Sequence, residues 1–402
     1  MTDKSAAEQS RLVMGVIIAG FCVFLQLYSP QPLLAVFREF FNESEGRVSL
    51  IISAATFAVA LFSPFAGIFA DAIGRKRIIV PSFFFLAAAT FGCAFSSDLN
   101  QLIFFRFIAG VFSPGIIAVI LAYISEETRR EKAGSVTALY VTGTVLGGLT
   151  GRLASAYMAD YFSWRHSFFL LGLLTLSGAF GVWKFLPRST KFQKQSNLRK
   201  ALPSMLAHMK NRQLLATYFA GFSTLFCHVG LFTYSNFYLS RPPFSLSTSA
   251  LGLIFLVYAL GILITPLAGR MIDRIGHRAG AMYAIGFISA GILMTLSAKI
   301  PVFVSGLAVA SSGIFIMQAA ASSHTGKTAK SARSSATGLY VSFYYLGGAA
   351  GASFLILPWK LWGWTGLVCS MLLVQLISLI VVRLFFIHKR GSRESADSIV
   401  LD

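Results

Sequence analysis

Two arginines stand where a charge is costly. Arg106 lies in an apolar run over 100–123, and Arg152 in another over 134–158. A charged side chain inside a stretch long enough to cross a bilayer marks a functional site by default. Each is about six or seven residues from the same end of the membrane, so at ~1.5 Å per residue both sit roughly 10 Å in. A guanidinium presents its donors as a rigid fork, so two at one depth could grip a carboxylate or a phosphate. Two plainer roles compete: Arg106 could bind backbone carbonyls, and Arg152 could snorkel to the surface. No carboxylate accompanies them, because all fifteen Asp and Glu lie in loops, tails or run ends. A cationic cargo would find no buried partner. Proton exchange would fall to His228, to Asp160 or Glu39 at run ends, or to Arg106 itself.

The elements that position these residues are membrane helices. The chain has 402 residues, 55% hydrophobic and 12% charged, against about 25% charged in soluble domains. A crossing helix needs roughly 20 apolar residues. Twelve such runs occur, over 12–34, 49–69, 79–96, 100–123, 134–158, 167–186, 213–237, 248–269, 279–298, 301–322, 336–357 and 366–387. The first has no cleavage-ready flank and reads as a retained helix. Of the 34 Lys and Arg, only Arg38, Arg47, Arg165, Arg241, Lys299 and Lys360 fall on the outer side when the N-terminus is cytoplasmic. This positive-inside pattern places both termini in the cytoplasm. The net charge of +19 is therefore a topology signal, and no basic soluble domain exists to hold nucleic acid. Cys22, Cys93, Cys227 and Cys369 fall inside runs without metal-ligand spacing and read as apolar residues. No metal or cofactor is expected.

The chain repeats itself. Gly67, Asp71 and Gly74, followed by Arg75, Lys76 and Arg77, recur as Gly269, Asp273 and Gly276, followed by His277 and Arg278. Leu139-Tyr140-Val141 with Gly147, Gly148 and Gly151 recurs as Leu339-Tyr340-Val341 with Gly347, Gly348 and Gly351, and Trp164 recurs as Trp364. Tyr28-Ser29 and Leu33 echo weakly in Tyr234-Ser235 and Leu239. Parallel six-helix repeats are a transporter signature. The expected organisation is a cytoplasmic tail over 1–11, a six-helix bundle over 12–186, a basic cytoplasmic linker over 187–212, a second bundle over 213–388 and a tail over 389–402. Met205, Leu206 and Met209 suggest a surface helix in the linker. Gly143, Gly147 and Gly151 share one helix face and permit close packing, and Arg152, about 100° on, points elsewhere.

The loop from Gly67 to Arg77, with its degenerate copy after the eighth run, resembles the signature loop of the major facilitator superfamily. The resemblance spans about residues 10–390. It implies an all-α membrane protein of twelve helices in two pseudo-symmetric six-helix bundles. It also implies a cytoplasmic latch, formed when the carrier faces outward, from Gly67, Asp71, Gly74, Arg75, Arg77, Gly269, Asp273, Gly276 and Arg278. The two glycines of each copy would allow a tight turn. Leu102-x-x-x-Arg106-x-x-x-Gly110 is similar to a second family motif, whose arginine is linked to proton coupling. Gly143 to Arg152 resembles the antiporter motif of the drug:proton branch, with Gly148 where a proline is usual and Arg152 where a glycine is usual. Strings such as Tyr28-Ser29-Pro30-Gln31-Pro32 and Tyr344-Tyr345-Leu346-Gly347 are similar to the YnfM-like subgroup of the twelve-helix branch.

In this superfamily the first and seventh helices line the cavity. That makes Gln26, Tyr28 and Gln31, and His228, Tyr234 and Asn236, candidates for binding or coupling, with Gln318, Tyr340 and Tyr344 behind them. Aromatics at this depth also serve as packing. Pro30 and Pro32 should break the outer end of the first helix. The expected function is secondary transport of a small organic solute, proton-linked, outward, with an anionic or zwitterionic cargo such as a carboxylate metabolite or siderophore. Uptake or uniport of such an anion and a non-transporting sensor are the rivals. No nucleotide-binding loop, catalytic constellation or symmetric charge ring supports an ATP-driven pump, an enzyme or a channel. The expected partners are the bilayer, the cargo and protons, in a monomer in a bacterial inner membrane.

Overall fold

Residues 2–128, 130–187, 189, 198–329 and 333–386 are described by a computed structural model, and these residues form helices joined by short turns. The first crossing is α1 (Thr2–Leu27), a 3-10 turn (Gln31–Leu33) and α2 (Leu34–Phe40). It is followed by α3 (Glu45–Ile73), α4 (Arg75–Ala94), a fourth crossing of α5 (Leu99–Phe112) and α6 (Pro114–Glu127), α7 (Arg130–Tyr161) and α8 (Trp164–Phe185). After α9 (Leu198–Met209) come α10 (Arg212–Leu239) and an eighth crossing of α11 (Thr248–Ile254), a 3-10 turn (Phe255–Ala259) and α12 (Leu260–Ile275). The last four are α13 (His277–Met294), α14 (Ile300–Thr328), α15 (Arg333–Phe354) and α16 (Ile356–Phe385). Each of the twelve apolar runs has its crossing. Among the described residues, nine segments are long and apolar enough to span a membrane by length and composition alone. The other three, α7, α13 and α15, dilute their apolar residues with Gly, Ser and other small or polar side chains.

Residues 188 and 190–197 of the basic linker and the tail over 389–402 lie outside the described residues, as do the side chains of 1–8, Arg199 and Lys200. In the linker, α9 supplies the anticipated helix, with Met205 buried and Leu206 exposed. The prolines act where expected: α1 ends at Leu27 and Pro30 caps the 3-10 turn. The break at Ser113–Pro114 and the 3-10 segment at 255–259 were not anticipated.

The repeat is visible in the packing. α1 lies along α7, and α10 along α15. A methyl added at Gly147 or Gly151 would strike the carbonyls of Phe21 and Leu25. One added at Gly347 or Gly351 would strike those of Phe222 and Phe226. Gly143 faces the Ile17 carbonyl in the same seam, so only a missing side chain lets these backbones approach. The halves meet through α3 against α15 and α7 against α11. Ser53 on α3 bonds Ser353 Oγ at 2.7 Å and donates to Ala349 O at 3.1 Å, both on α15. Away from this interface the helices present apolar faces outward. On α16, Leu373, Leu376, Ile380 and Leu384 form one exposed stripe, which lipid solvates at no cost. Cys369, expected to be buried, is exposed on the same helix, whereas the other three cysteines are buried.

Candidate substrate site between the two halves

Arg106 is 1% exposed, and the first helix explains its place. Pro30 has no N–H to give the carbonyl four residues back, which is Gln26 O. The amide of Gln31 turns to Tyr28 O at 3.0 Å instead of Leu27 O. Two buried carbonyls at a helix end therefore need donors. Ser29 Oγ donates to Gln26 O at 3.1 Å, and Arg106 reaches both, with Nη1 to Gln26 O at 3.0 Å and Nη2 to Leu27 O. Its charge faces the negative end of a helix. The expected two-arginine grip is corrected here: Arg106 binds the chain, and its remaining Nε is enclosed without a partner.

Arg152 is 3% exposed and does not snorkel. Its Nε donates to Gln31 Oε1 at 2.9 Å and its Nη1 to Gly148 O at 2.8 Å. The guanidinium lies 5.1 Å from the Tyr28 ring centre, 4.9 Å from Phe255 and 4.7 Å from Tyr258. Tyr28, Gln31 and Arg152 belong to the first half and Phe255 and Tyr258 to the second, so the cage forms only where the halves meet. His228 stacks on Tyr258 at 4.9 Å, and Phe232 on Phe255 at 5.3 Å. Four polar atoms around the cage have no hydrogen-bond partner: Tyr28 Oη, Gln31 Nε2, Tyr258 Oη and His228 Nδ1. No Asp or Glu pairs with Arg152 among the described residues. Such a pocket offers positive charge and donors, which suits an anion.

The remaining candidates divide. Tyr344 lies tilted against Tyr340 at 6.0 Å and edge-on to Tyr345 at 5.5 Å. Gln26 is corrected to a packing role: its Nε2 donates to Leu171 O at 2.9 Å and to Thr175 Oγ1, tying α1 to α8. Tyr234 is corrected likewise, since its hydroxyl donates to Ala352 O at 3.0 Å. Asn236 turns to its own helix at Phe232 O, 2.6 Å away. Tyr340 packs on Gly221, its hydroxyl enclosed without a partner. Gln318 is exposed on α14. Phe255 and Tyr258 were missed because the eighth run is apolar throughout, and nothing in its pattern announces a 3-10 turn that aims two rings inward.

At the end expected to face outward, the halves are fastened. Glu45 accepts from Arg38 at 3.2 Å and from Arg241 of the second half, and Arg241 lies over the Trp359 ring. Burial, and the Arg38 guanidinium beside it, lower the Arg241 pKa from its ordinary value. Asp160 accepts from Ser249 N at 2.6 Å. A cavity of about 520 Å³ here is lined by Arg38, Glu39, Asn42, Glu43, Glu45 and Arg241. At the opposite end, Arg75 joins Asp71 at 2.6 Å and Glu126 at 2.6 Å. Lys76 donates to Trp183 O at 2.7 Å and to Leu186 O. Asp71 and Arg75 thus pair inside the first half. Arg77 and Asp273 are exposed and Arg278 is half-buried. Of the two glycines per copy only the second makes the turn, Gly74 at φ +112° and Gly276 at φ +87°. Gly67 and Gly269 lie within helices, with open space beside them, which corrects the expectation that both shape it.

Two glycine seams, a central cage and a fastened mouth describe a multi-pass membrane protein built from two repeats. The Major Facilitator Superfamily model matches residues 16–352 and again 243–399. An uncharacterized transporter of Buchnera aphidicola subsp. Schizaphis graminum is 32% identical over 382 residues, covering 95% of this chain and 92% of that one. The inner membrane transport protein YnfM of Escherichia coli is 31% identical over 379 residues, covering 94% and 91%. The fold matches a bacterial homologue of the human lysosomal transporter Spinster, crystallised inward-facing and unoccupied, with TM-score 0.73 at 15% identity, covering 94% of this chain and 96% of that one. The chain belongs to the Major Facilitator Superfamily and is a transporter.

Proposed function

We propose that the protein is a secondary active carrier of a small organic anion in the bacterial inner membrane, working by alternating access of the cage between the two sides. One observation carries this reading: the Arg152 guanidinium is buried between the halves with no carboxylate partner among the described residues. An uncompensated buried charge is costly, and a ligand anion removes that cost. Every part of the cage comes from one chain, so a monomer suffices. Proton-linked export is the direction that resemblance to the drug:proton branch implies. With both termini cytoplasmic, the mouth fastened by Glu45 and Asp160 faces outward. Among the described residues no carboxylate pairs with the cage arginine, so these two outer carboxylates are the natural acceptors of an incoming proton. Uptake of the same anion uses the same cage in reverse.

The test is a thermal-shift screen of the purified protein beside Arg152→Ala, with carboxylates, siderophores, amino acids and cationic drugs. Ligands of the folded state raise the melting point. Anions should stabilise the wild type and not the variant. Equal stabilisation of both proteins by cationic drugs would discard the anion reading.

A further inference from the structure

We infer that the cargo carries a single carboxylate on an apolar body. This rests on Arg152 as the cargo's anchor and concerns how much charge the cage accepts. Among the described residues, the cage holds one available guanidinium, that of Arg152. The other buried arginine is unavailable: both Arg106 Nη groups are on the carbonyls of Gln26 and Leu27, and its charge already faces a helix end. One negative charge neutralises Arg152 and lets the closed cage be formally neutral as the halves rock around it. A second negative charge would find no second free guanidinium among the described residues and would meet the rings of Tyr28, Phe255 and Tyr258, whose faces are themselves electron-rich. It would be buried without a partner, which low-dielectric surroundings penalise heavily.

The donor count agrees. Arg152 engages the protein through Nε and Nη1, which leaves Nη2 to give, and Tyr28 Oη, Tyr258 Oη and Gln31 Nε2 are enclosed without partners. These are four donor groups, and one ionised carboxylate offers about four lone-pair sites on its two oxygens. Each donor sits on a ring or amide that touches the Arg152 guanidinium. The walls beyond are apolar: His228 backs Tyr258 and Phe232 backs Phe255. Apart from His228, they offer nothing to a polar body.

The experiment is a binding titration of the full-length protein in lipid nanodiscs. The probes are benzoate, hexanoate and phthalate, which pairs the benzoate ring with a second carboxylate, and benzylammonium serves as the cation. Wild type is compared with Arg152→Ala, Tyr28→Phe and Tyr258→Phe. Benzoate and hexanoate should bind the wild type at least about tenfold more tightly than phthalate. Either Phe variant, which removes a donor and keeps the ring, should weaken benzoate several-fold with an unaltered melting point. Phthalate binding as tightly as benzoate, and dependent on Arg152, would overturn the single-charge inference while leaving the anchor in place. Absence of anion binding to the wild type, or binding that survives Arg152→Ala, would overturn the anchor itself. Should Arg152→Ala fail to fold, the Phe variants decide: benzoate binding unchanged in both removes the cage from cargo recognition.

Discussion

In the first half α1 stops at Leu27, and Pro30 strands the carbonyl of Gln26, which Arg106 crosses from α5 to hold. In the second half α10 runs unbroken to Leu239. The residue matching Pro30 is Asn236, and its Nδ2 donates to Phe232 O on the same helix. Near Ala308, where the arginine would stand, no charge is needed. The halves also differ at the next site. Arg152 of α7 is matched by Ala352 of α15, whose carbonyl takes the Tyr234 hydroxyl. The second half gives rings where the first gives charge. Two repeats that share a fold have thus been given different tasks, and the two buried arginines are there for different reasons. One completes a broken helix, and the other lies in a cage of rings where the halves meet.

That difference sets up crossed effects. Arg152→Ala should lower cargo affinity by about 100-fold or more, the scale of removing one partner from a buried charge pair. Its melting temperature in the absence of cargo should fall less than that of Arg106→Leu, because the loss of two hydrogen bonds and three ring contacts is offset by removal of a buried charge that has no counter-ion. Arg106→Leu should lose more, about 2–4 kcal/mol of stability, by orphaning Leu27 O and leaving Gln26 O to Ser29 Oγ alone. Melting curves beside cargo titrations on both variants check this. Both variants losing stability equally would erase the distinction. Adding Pro30→Ala to Arg106→Leu restores an N–H that can reach Gln26 O, and should recover about 1 kcal/mol. A double variant no more stable than Arg106→Leu would break the link between proline and arginine.

The sequence announces most of the scaffold and half of the site. Twelve crossings, two repeats, the glycine seams and the proline break all follow from patterns that local chemistry enforces. Both arginines are conspicuous because charge inside an apolar run is conspicuous. Their roles are not legible. Whether a guanidinium caps another helix, as Arg106 does, or sits among rings, as Arg152 does, depends on where other helices end and turn. The cage walls stay hidden for a related reason: Phe255 and Tyr258 are ordinary apolar residues until a 3-10 turn directs them. Glu45 and Arg241 lie 196 residues apart, and only the docking of the halves joins them.

The two copies of the signature loop offer a smaller test of symmetry. Gly74 and Gly276 both have positive φ with extended ψ, a region nearly closed to other residues. Alanine at either should cost about 1–3 kcal/mol. Gly67→Ala and Gly269→Ala should be neutral or stabilising by up to about 1 kcal/mol, because each adds a methyl in open space within a helix. Thermal melts of the four variants separate the turn-forming glycines from the helical ones. Equal losses at all four would restore the expectation that both glycines of each copy shape the turn.

The smallest effect belongs to the mouth, where the halves touch by charge. Arg38 and Arg241 have side chains about a third to a half exposed (35% and 44%). An exposed pair of this kind contributes at most about 1 kcal/mol, so Glu45→Gln should raise the outward-open population about fivefold and no more. Ser53→Cys, placed where α3 bonds α15, reports that opening by its labelling rate with a membrane-impermeant maleimide. Cys369 is exposed and is first replaced by serine to silence it. A fivefold faster rate in Glu45→Gln, reproduced by Arg241→Gln, means that the pair across the halves holds the mouth shut. An unchanged rate in both would transfer the closure to the apolar packing of α3 on α15 and to Asp160 on the amide of Ser249. The first half's carboxylates would then be bystanders to gating, and the incoming proton would need another acceptor.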